Sequence, residues 1–340
     1  VALVVLAYGG GEFDAAKVAS MQDSIEHEQL LRKQAEIDRD EARSTQKFLP
    51  SAPYVLRGLD AAVAMIGVGD AMTLAAASEE SVTAWSLPSG RRIAVGDTAD
   101  LSPQHMAISH DGKVLLISGT REAVVMDIGS GQSHRWDLPR RGVTALAVSR
   151  DGAMIAIAFD DFSLTVFDPQ GGPLGRVTST TGAFERLAFG SGGVLGGLTD
   201  SRGLFWQCNQ RMEEIDRFNL FPLSVILDFT FDAAGTASLT LDASGAVHYY
   251  NLDGSTPEYR RAVGMGELVA GRFDPTGTAV LAIESTTMYA VSLETFEMRT
   301  PHMPLPVVDT PYVLGPGAVF IAHGSASGEV TVIPLAPAAP

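Results

Sequence analysis

Hydrophobic and polar positions along this chain repeat with a period of roughly 40 residues. In each copy, a short polar turn is followed by a glycine and then by a run of small and branched apolar residues. A fixed period of about 20 to 50 residues is typical of repeat architectures, so the pattern predicts a fold of similar units. The glycines that mark these units are Gly69, Gly112, Gly152, Gly193, Gly235, Gly277 and Gly317.

Within each unit, the pattern predicts four strands joined by short turns. The first strand is apolar, the second consists of small residues, the third alternates, and the fourth is less regular. The 35 glycines and 18 prolines of the chain favour such short strands and turns. The third strands are the most regular and are expected in residues 81–90, 123–131, 163–171, 203–210, 246–254 and 288–296.

The ends of the third strands resemble those of a known family. Met126-Asp127 and Phe167-Asp168 stand where WD-repeat β-propellers have Trp-Asp before a turn, and Trp85-Ser86 keeps the tryptophan alone. The period and the strand order also resemble WD repeats, from residue 54 to 336. The resemblance implies an all-β, seven-bladed β-propeller, within the usual range of about four to eight blades.

One departure from the family bears on stability. WD repeats place a Gly-His pair before the first strand, and no such pair recurs here. Asp161, Asp200 and Asp242, which fall near the turn of the family's structural aspartate, therefore lack its usual histidine partner. We expect the blades to be held mainly by apolar packing between sheets, at roughly 25 cal/mol per Å² buried. Trp136-Asp137 is expected on an outer strand rather than a third strand.

The last unit predicts how the ring closes. Residues 307–335 supply only three strands, while the unmatched apolar segment Tyr54–Leu59 precedes the first unit. We expect Tyr54–Leu59 to pair with Glu329–Leu335 as the outer strand of the last blade. Such pairing leaves fewer exposed strand edges.

The first 50 residues have a different pattern from the repeats. Residues 1–11 form an apolar stub, too short to cross a bilayer, which takes about 20 residues. Two interpretations stay open: the end of a transmembrane helix or signal anchor, or a short strand or arm packed on protein. Residues 12–50 are charged and rich in helix formers, which predicts one long α-helix, or stalk. The propeller would then occupy residues 51–336, with a tail at 337–340.

The predicted helix carries a narrow apolar stripe on an otherwise charged surface. A stripe of this kind suits a stalk or a helix that lies against a partner, although charged runs are also simply solvated. The sustained apolar heptads of a long coiled coil are missing. The candidate partner-binding residues of this helix are Val18, Met21, Ile25, Leu30 and Leu31.

Charge narrows the classes of partner. The formal net charge is −16 and the isoelectric point is about 4.8. Nucleic-acid affinity comes largely from clustered lysine and arginine, so we expect no nucleic-acid partner. Arginine far outnumbers lysine, and alanine and glycine are abundant, which is typical of a GC-rich bacterial genome.

The sequence offers little catalytic chemistry. Its seven histidines are scattered, and it contains neither an HExxH nor a GxSxG motif. The single cysteine, Cys208, excludes an intrachain disulfide and is expected on a strand as a packed structural thiol. We therefore expect no cofactor, no metal ion and no catalytic residue.

The turns between second and third strands are mostly acidic and should line one face of the ring. They are either ordinary solvated turns or a surface that meets a basic partner by electrostatic steering. The candidate partner-binding residues are Glu79, Glu80, Arg121, Glu122, Asp160, Asp161, Asp200, Arg202 and Asp242.

Three functions remain open from the sequence. The first is a non-enzymatic scaffold for protein–protein interaction in a membrane-associated bacterial assembly, tethered through the N-terminal helix. The second is the sensor or interaction module of a larger signalling protein with a kinase, peptidase or nucleotide-binding domain upstream. The third is a propeller hydrolase or quinone dehydrogenase, which would bind a metal or cofactor over the central channel.

Overall fold

A computed structural model gives the structure of most of the repeat region. The predicted apolar stub, the charged helix with its candidate binding face, and the tail lie outside the described residues. The described residues are 52–69, 71–199, 202–208, 212–219, 225–252, 259–262, 267–284, 287–295, 298–299 and 311–335.

These residues form seven four-stranded antiparallel sheets, numbered here as blades 1 to 7, which confirms the predicted all-β, seven-bladed propeller. Strands are labelled in chain order, and the first strand of each blade lies innermost. The inner strands are β2 (Met65–Val68), β6 (His105–Ile108), β10 (Val143–Val148), β14 (Arg186–Phe189), β18 (Ile226–Phe231), β22 (Ala270–Phe273) and β26 (Tyr312–Leu314).

The other three strands of each blade follow outward from the centre. The second strands are β3 (Thr73–Ala77), β7 (Val114–Ser118), β11 (Ile155–Phe159), β15 (Val194–Leu198), β19 (Ala237–Asp242), β23 (Ala279–Ile283) and β27 (Phe320–Gly324). The third strands are β4 (Ser81–Ser86), β8 (Glu122–Asp127), β12 (Ser163–Phe167), β16 (Arg202–Gln207), β20 (Ala246–Asn251), β24 (Met288–Ser292) and β28 (Val330–Pro334). The outer strands are β5 (Arg91–Asp97), β9 (Ser133–Asp137), β13 (Pro173–Thr178), β17 (Glu213–Asn219), β21 (Tyr259–Ala262), β25 (Met298–Arg299) and, in blade 7, β1 (Tyr54–Leu56). Short 3-10 turns at Ser191–Gly193 and Pro316–Ala318 precede β15 and β27.

The blades form a closed ring. Each inner strand contacts the inner strands of both neighbouring blades, and the cycle ends with β26 of blade 7 beside β2 of blade 1. In blade 7, β1 runs antiparallel to β28, with Tyr54 opposite Val332 and Leu56 opposite Val330. Blade 7 thus combines strands from both ends of the described chain.

The hydrophobic core of the described residues is divided into seven clusters, one between each pair of neighbouring blades. The second strands of the blades explain why the core is divided in this way. In β3, Leu74 and Ala76 pack toward blade 7, while Ala75 and Ala77 pack toward blade 2. Because both faces of the sheet are buried, this strand is apolar at successive rather than alternate positions.

The recurring glycine lies in the turn between the inner and second strands. Its clearest copies have a left-handed φ between 66° and 72°, which L side chains rarely adopt. They also pack against the preceding blade: a Cβ on Gly277 would lie 2.1 Å from the carbonyl oxygen of Phe231. These turns therefore need glycine for its backbone conformation and for space. The four copies are Gly112, Gly152, Gly235 and Gly277.

Blade 1 departs from this pattern. Gly69 marks the repeat in the sequence, but its φ lies outside the left-handed region. The left-handed residue of that turn is Met72, with a φ of 56° and a buried side chain. Gly69 is still tightly packed, because its added Cβ would lie 2.8 Å from the Cα of Gly112 in blade 2.

Aspartates at the ends of two third strands cap the next turn: Asp127 is the last residue of β8, and Asp168 directly follows β12. Asp127 accepts hydrogen bonds from the backbone N–H and the hydroxyl of Ser130, at 2.7 and 2.8 Å. Asp168 accepts them from the backbone N–H groups of Gln170 and Gly172, at 2.9 and 2.8 Å. These carboxylates satisfy turn donors that no strand partner reaches.

The position of the third strands agrees with the sequence prediction. For example, β12 begins at Ser163 and β20 begins at Ala246. The Trp136-Asp137 pair lies in the outer strand β9, as expected.

Replacing Gly277 by alanine should lower the free energy of unfolding by about 2 kcal/mol or more. A side chain in the left-handed region costs roughly 1–2 kcal/mol, and the new Cβ would also overlap the Phe231 carbonyl of blade 5. Gly131 provides the control, because its φ is 71° but nothing lies within 4 Å of its added Cβ. Denaturant unfolding of both variants measures the difference. Equal losses would contradict a close interblade contact at Gly277.

Candidate functional site

The turns between second and third strands lie on one face of the ring, because every blade has the same strand order. We call these turns, with the strand ends beside them, the rim. In the described part of the chain they include residues 79–80, 120–121, 160–162, 243–245 and 326–328. Of the candidate rim residues, Asp200 lies outside the described residues, and Arg202 is described only as backbone at the start of β16.

Several predicted rim residues are accessible. Glu79 and Glu80 are the two turn residues of blade 1, and both are exposed. Arg121 in blade 2 and Asp160 in blade 3 are exposed as well. Three of these four exposed side chains, those of Glu79, Glu80 and Asp160, carry carboxyl groups that a basic partner could contact.

Two other rim carboxylates are paired with arginines. Glu122 lies 3.3 Å from Nη1 of Arg135 on the outer strand of its blade. Asp161 lies 2.6 Å from Nη1 of Arg140 and 3.9 Å from Nη2 of Arg176. The rim is therefore less negative than its sequence suggests, since arginines from outer strands and connecting loops offset part of its charge.

Asp242 is fully buried, unlike the other described rim carboxylates. It accepts hydrogen bonds from the backbone N–H groups of Ser244 and Ala246, at 2.9 and 3.0 Å, and lies 3.1 Å from Nε2 of His248. Burial raises its pKa, but hydrogen bonds from Ser244, Ala246 and His248 outweigh this and lower the pKa below its ordinary value. The side chain organises the turn from within. Its histidine partner comes from the third strand, not from the position that WD repeats use.

Phe162 is a rim residue that the sequence analysis did not single out. It has a φ of 66°, and 46% of its surface is exposed. The equivalent residues in blades 5 and 7 are Gly245 and Gly328, with φ of 75° and 79°. In all three turns this residue donates its N–H to the carbonyl three positions earlier. Blade 3 therefore places an exposed phenylalanine where the backbone favours glycine.

Charged side chains lie beside Phe162. The loop that leads into β10 contacts its turn: the Asp160 N–H donates to the carbonyl of Gly142 at 2.8 Å, and Arg140 pairs with Asp161. Phenylalanine and arginine are both enriched in protein interfaces. We call the exposed residues of this region the Phe162 patch: Arg140, Arg141, Asp160, Asp161 and Phe162.

A cavity of about 560 Å³ occupies the centre of the ring. Inner strands of all seven blades line it, together with the turns that follow them. The sequence pattern predicts no functional role for these residues. The charged and histidine side chains of the lining are His105, His110, Arg150, Glu185, Arg186, Asp228 and Arg272.

Asp228 in blade 5 stands between arginines of blades 4 and 6. One of its oxygens accepts the backbone N–H of Phe273 at 2.8 Å. Withdrawal from water raises the pKa of Asp228, and the opposing influence of Arg272 and Arg186 does not cancel this. Arg186 is itself fixed by the carbonyl of Leu227, 3.2 Å from its Nη2. This end of the cavity thus carries two guanidinium groups around one carboxyl group with weakened acidity.

His105 lies at the same end of the cavity, at the start of its inner strand. Its Nε2 is 3.0 Å from the carbonyl oxygen of Val143, and a carbonyl only accepts, so Nε2 carries a proton. Withdrawal from water lowers the pKa of His105, and Arg186 lowers it further, against the opposite influence of the Val143 hydrogen bond. The ring is therefore neutral at neutral pH.

Arg150 crosses the opposite end of the cavity. It lies in the turn after β10 and donates from Nη1 to the carbonyl of Ala233 in blade 5, at 2.8 Å. Its Nη2 lies 2.6 Å from Nε2 of His110 in blade 2. Because blades 2 and 5 are on different sides of the ring, this side chain partly closes that end.

Other candidate chemistry is limited within the described residues. They contain no group of three or more His, Cys, Asp or Glu side chains that could hold a metal ion. Burial raises the pKa of the Cys208 thiol to about 12, so the thiol is protonated at neutral pH, and it packs against the core between blades 3 and 4. No helix among the described residues is long and apolar enough to cross a membrane.

Comparison of the sequence with models of known protein families and with curated proteins gives no match. The propeller assignment therefore rests on strand order and ring closure, and function has to be argued from the rim and the cavity.

The pKa of Asp228 predicts a pH-dependent gain in stability on substitution. Since its folded-state pKa is raised above about 3.8, the ionised carboxylate is disfavoured in the folded protein once pH exceeds that value. Asp228→Asn should increase the free energy of unfolding at neutral pH, and the gain should disappear as pH falls toward about 4. Denaturant unfolding between pH 4 and about 8 measures this.

Asp161→Asn is the matched comparison, with the opposite sign. Hydrogen bonds from Ser163, with a contribution from Arg140 and Arg176, lower the pKa of Asp161. The stability that it contributes is present above its unfolded pKa and lost as pH falls through its folded pKa. This variant should be less stable than the parent at neutral pH, by a margin that shrinks in acid. Shifts of the same sign in both variants would contradict the assigned pKa directions.

Proposed function

We propose that this chain is a non-enzymatic protein-interaction scaffold, a WD-repeat-like propeller that docks a partner protein on its rim. The fold supports this, since β-propellers commonly serve as interaction platforms. Fold alone does not define function, so the proposal depends on a particular site. That site is the Phe162 patch.

The single observation that carries the proposal is the exposed aromatic ring of Phe162 at a left-handed position. A non-glycine residue there costs roughly 1–2 kcal/mol, and two equivalent turns use glycine. Folding gains little from an aromatic ring that is 46% exposed. Departures from local structural preference are typical of functional positions. An aromatic anchor beside arginines also has the composition of a binding hot spot.

The charges around the patch indicate the kind of partner. Glu79 and Glu80 in blade 1 and Asp160 in blade 3 are exposed carboxylates on the same face as Phe162. We propose a protein partner with an apolar pocket for Phe162 and with basic side chains placed opposite Glu79, Glu80 and Asp160. Opposite charges would accelerate its approach, and the buried ring would supply most of the affinity.

We further propose that residues 1–50 tether the propeller to a membrane-associated bacterial assembly. Support comes from the apolar stub, followed by a charged stretch with the helical stripe of Val18, Met21 and Ile25. The same charged stretch also favours a second candidate, in which the propeller is the interaction module of a larger signalling protein. A kinase, peptidase or nucleotide-binding motif in the open reading frame would select the second candidate.

Phe162→Asn should separate binding from stability. We expect retention of the partner to fall about tenfold or more, because a central aromatic anchor is lost. The free energy of unfolding should change by less than about 1 kcal/mol, since asparagine tolerates the left-handed region and relief of strain offsets lost packing. Quantitative pull-down from native membranes and denaturant unfolding measure the two effects.

Val95→Ser is the control for that experiment. Val95 is 50% exposed, but it lies on the outer strand β5 of blade 1, whereas Phe162 lies in blade 3. Its substitution should leave partner retention unchanged. Docking at the Phe162 patch would be overturned if the parent and Phe162→Asn retained the partner equally. It would also be overturned if Phe162→Asn and Val95→Ser lost the partner equally.

Deletion of residues 1–50 tests the tether separately. The truncated propeller should lose membrane association while it keeps the partner bound at the Phe162 patch. Membrane association that survives the deletion would contradict the tether and leave the docking proposal standing.

A further inference from the structure

We propose that the central cavity contains a second binding site, separate from the rim, for a small doubly charged anion. The ligand would be a dicarboxylate or a phosphate group. Arg186 and Arg272 would bind its two charges, and the Thr144 hydroxyl would donate to one of its oxygens.

The two arginines stand on opposite sides of one blade. Arg186 is the first residue of β14 and Arg272 the third of β22, so they flank blade 5. Arg186 is held in place by the carbonyls of Glu185 and Leu227, at 2.8 and 3.2 Å. Arg272 is exposed and lines the cavity, and its side chain makes no hydrogen bond or ion pair with the described residues. One guanidinium group is thus positioned, and the other has donors available.

Thr144 adds a hydroxyl group to the lining of the cavity. Thr144 is one of the residues that line the cavity, and its buried hydroxyl group has no hydrogen-bond partner among the described residues. Thr144 lies where the pairing of β10 with β11 is interrupted, between Val143 and Ala145. Buried hydroxyl groups without a partner are rare because desolvation is costly. This oxygen has no exposed surface in the cavity, so a rotation of the Thr144 side chain would bring it to a ligand oxygen.

Acidic residues outnumber basic ones in the whole chain, whereas arginines outnumber acidic residues in the cavity lining. The protein has 40 acidic and 24 basic residues, so its exterior repels anions in general. The cavity lining, however, contains three arginines against Glu185 and Asp228. Withdrawal from water raises the pKa of Asp228, which favours its uncharged form. A concave site with low-dielectric walls concentrates such a local positive potential.

The shape of the cavity suits a small ligand. Its volume of about 560 Å³ lies within the range of roughly 300–1,000 Å³ that is usual for ligand sites. Arg150 and its contacts with Ala233 and His110 partly close the far end. A guanidinium group can donate two parallel hydrogen bonds to a carboxylate or phosphate. Two such groups match a dianion better than a single charge.

Isothermal titration calorimetry on the full chain, at constant ionic strength, tests the proposal. The probes are inorganic phosphate and succinate, with acetate as a singly charged comparison. We expect one site for at least one dianion and binding of acetate about tenfold weaker or less. Binding of one dianion alone identifies the chemical class. Arg272→Gln should weaken the affinity about tenfold or more, since it removes a charge-assisted contact.

Arg91→Gln is the matched control, because Arg91 is exposed on the outer strand β5 and its substitution changes the net charge equally. It should leave the affinity unchanged. Circular dichroism checks that Arg272→Gln is folded. If it is not, Thr144→Val replaces it and should also weaken binding of the dianion. The proposal is overturned if neither dianion binds below about 10 mM, or if Arg91→Gln and the cavity variant have equal effects. Phe162→Asn should not alter anion affinity, so the two proposals can fail independently.

Discussion

Packing between neighbouring blades is the interaction on which the rest of this structure depends. Hydrogen-bonded ladders connect the strands of one blade, whereas apolar side chains form most of the contact between blades, in seven clusters. Glycines such as Gly277 allow the turns of one blade to reach the backbone of the previous one. Each sheet is buried on both faces, so a change at one interface affects two blades. This packing also positions the inner strands, and with them the cavity.

The fold could be predicted well from the sequence because packing between blades requires the same residue types at a fixed spacing along the chain. Turn glycines and apolar second strands recur at a fixed spacing, and Asp127 marks the turn after a third strand. The details that it missed depend on strand register. The bond between Asp242 and His248 joins a turn to a strand residue six positions later. Likewise, Met72 takes the left-handed position in the blade 1 turn, although Gly69 is the glycine that marks this turn in the sequence.

The sites were harder to predict than the fold for the same physical reason. Phe162 becomes conspicuous only when its turn is aligned with that of Gly245, which needs the pairing of the flanking strands. Arg186 and Arg272 lie on inner strands, where neighbouring residues alternate between the core and the cavity. A one-residue change of register would exchange those faces. The two surfaces that result differ in charge: exposed carboxylates lie on the rim, and guanidinium groups line the cavity.

Native-state hydrogen exchange of the propeller, followed by mass spectrometry in increasing denaturant, tests most directly whether interblade packing holds the ring as one unit. If it does, amides of the second strands β3, β11, β19 and β27 will lose protection together, with the same dependence on denaturant. A closed ring requires this result because no blade can separate without exposing two apolar interfaces. Stepwise loss of protection, one blade after another at different denaturant concentrations, would contradict it.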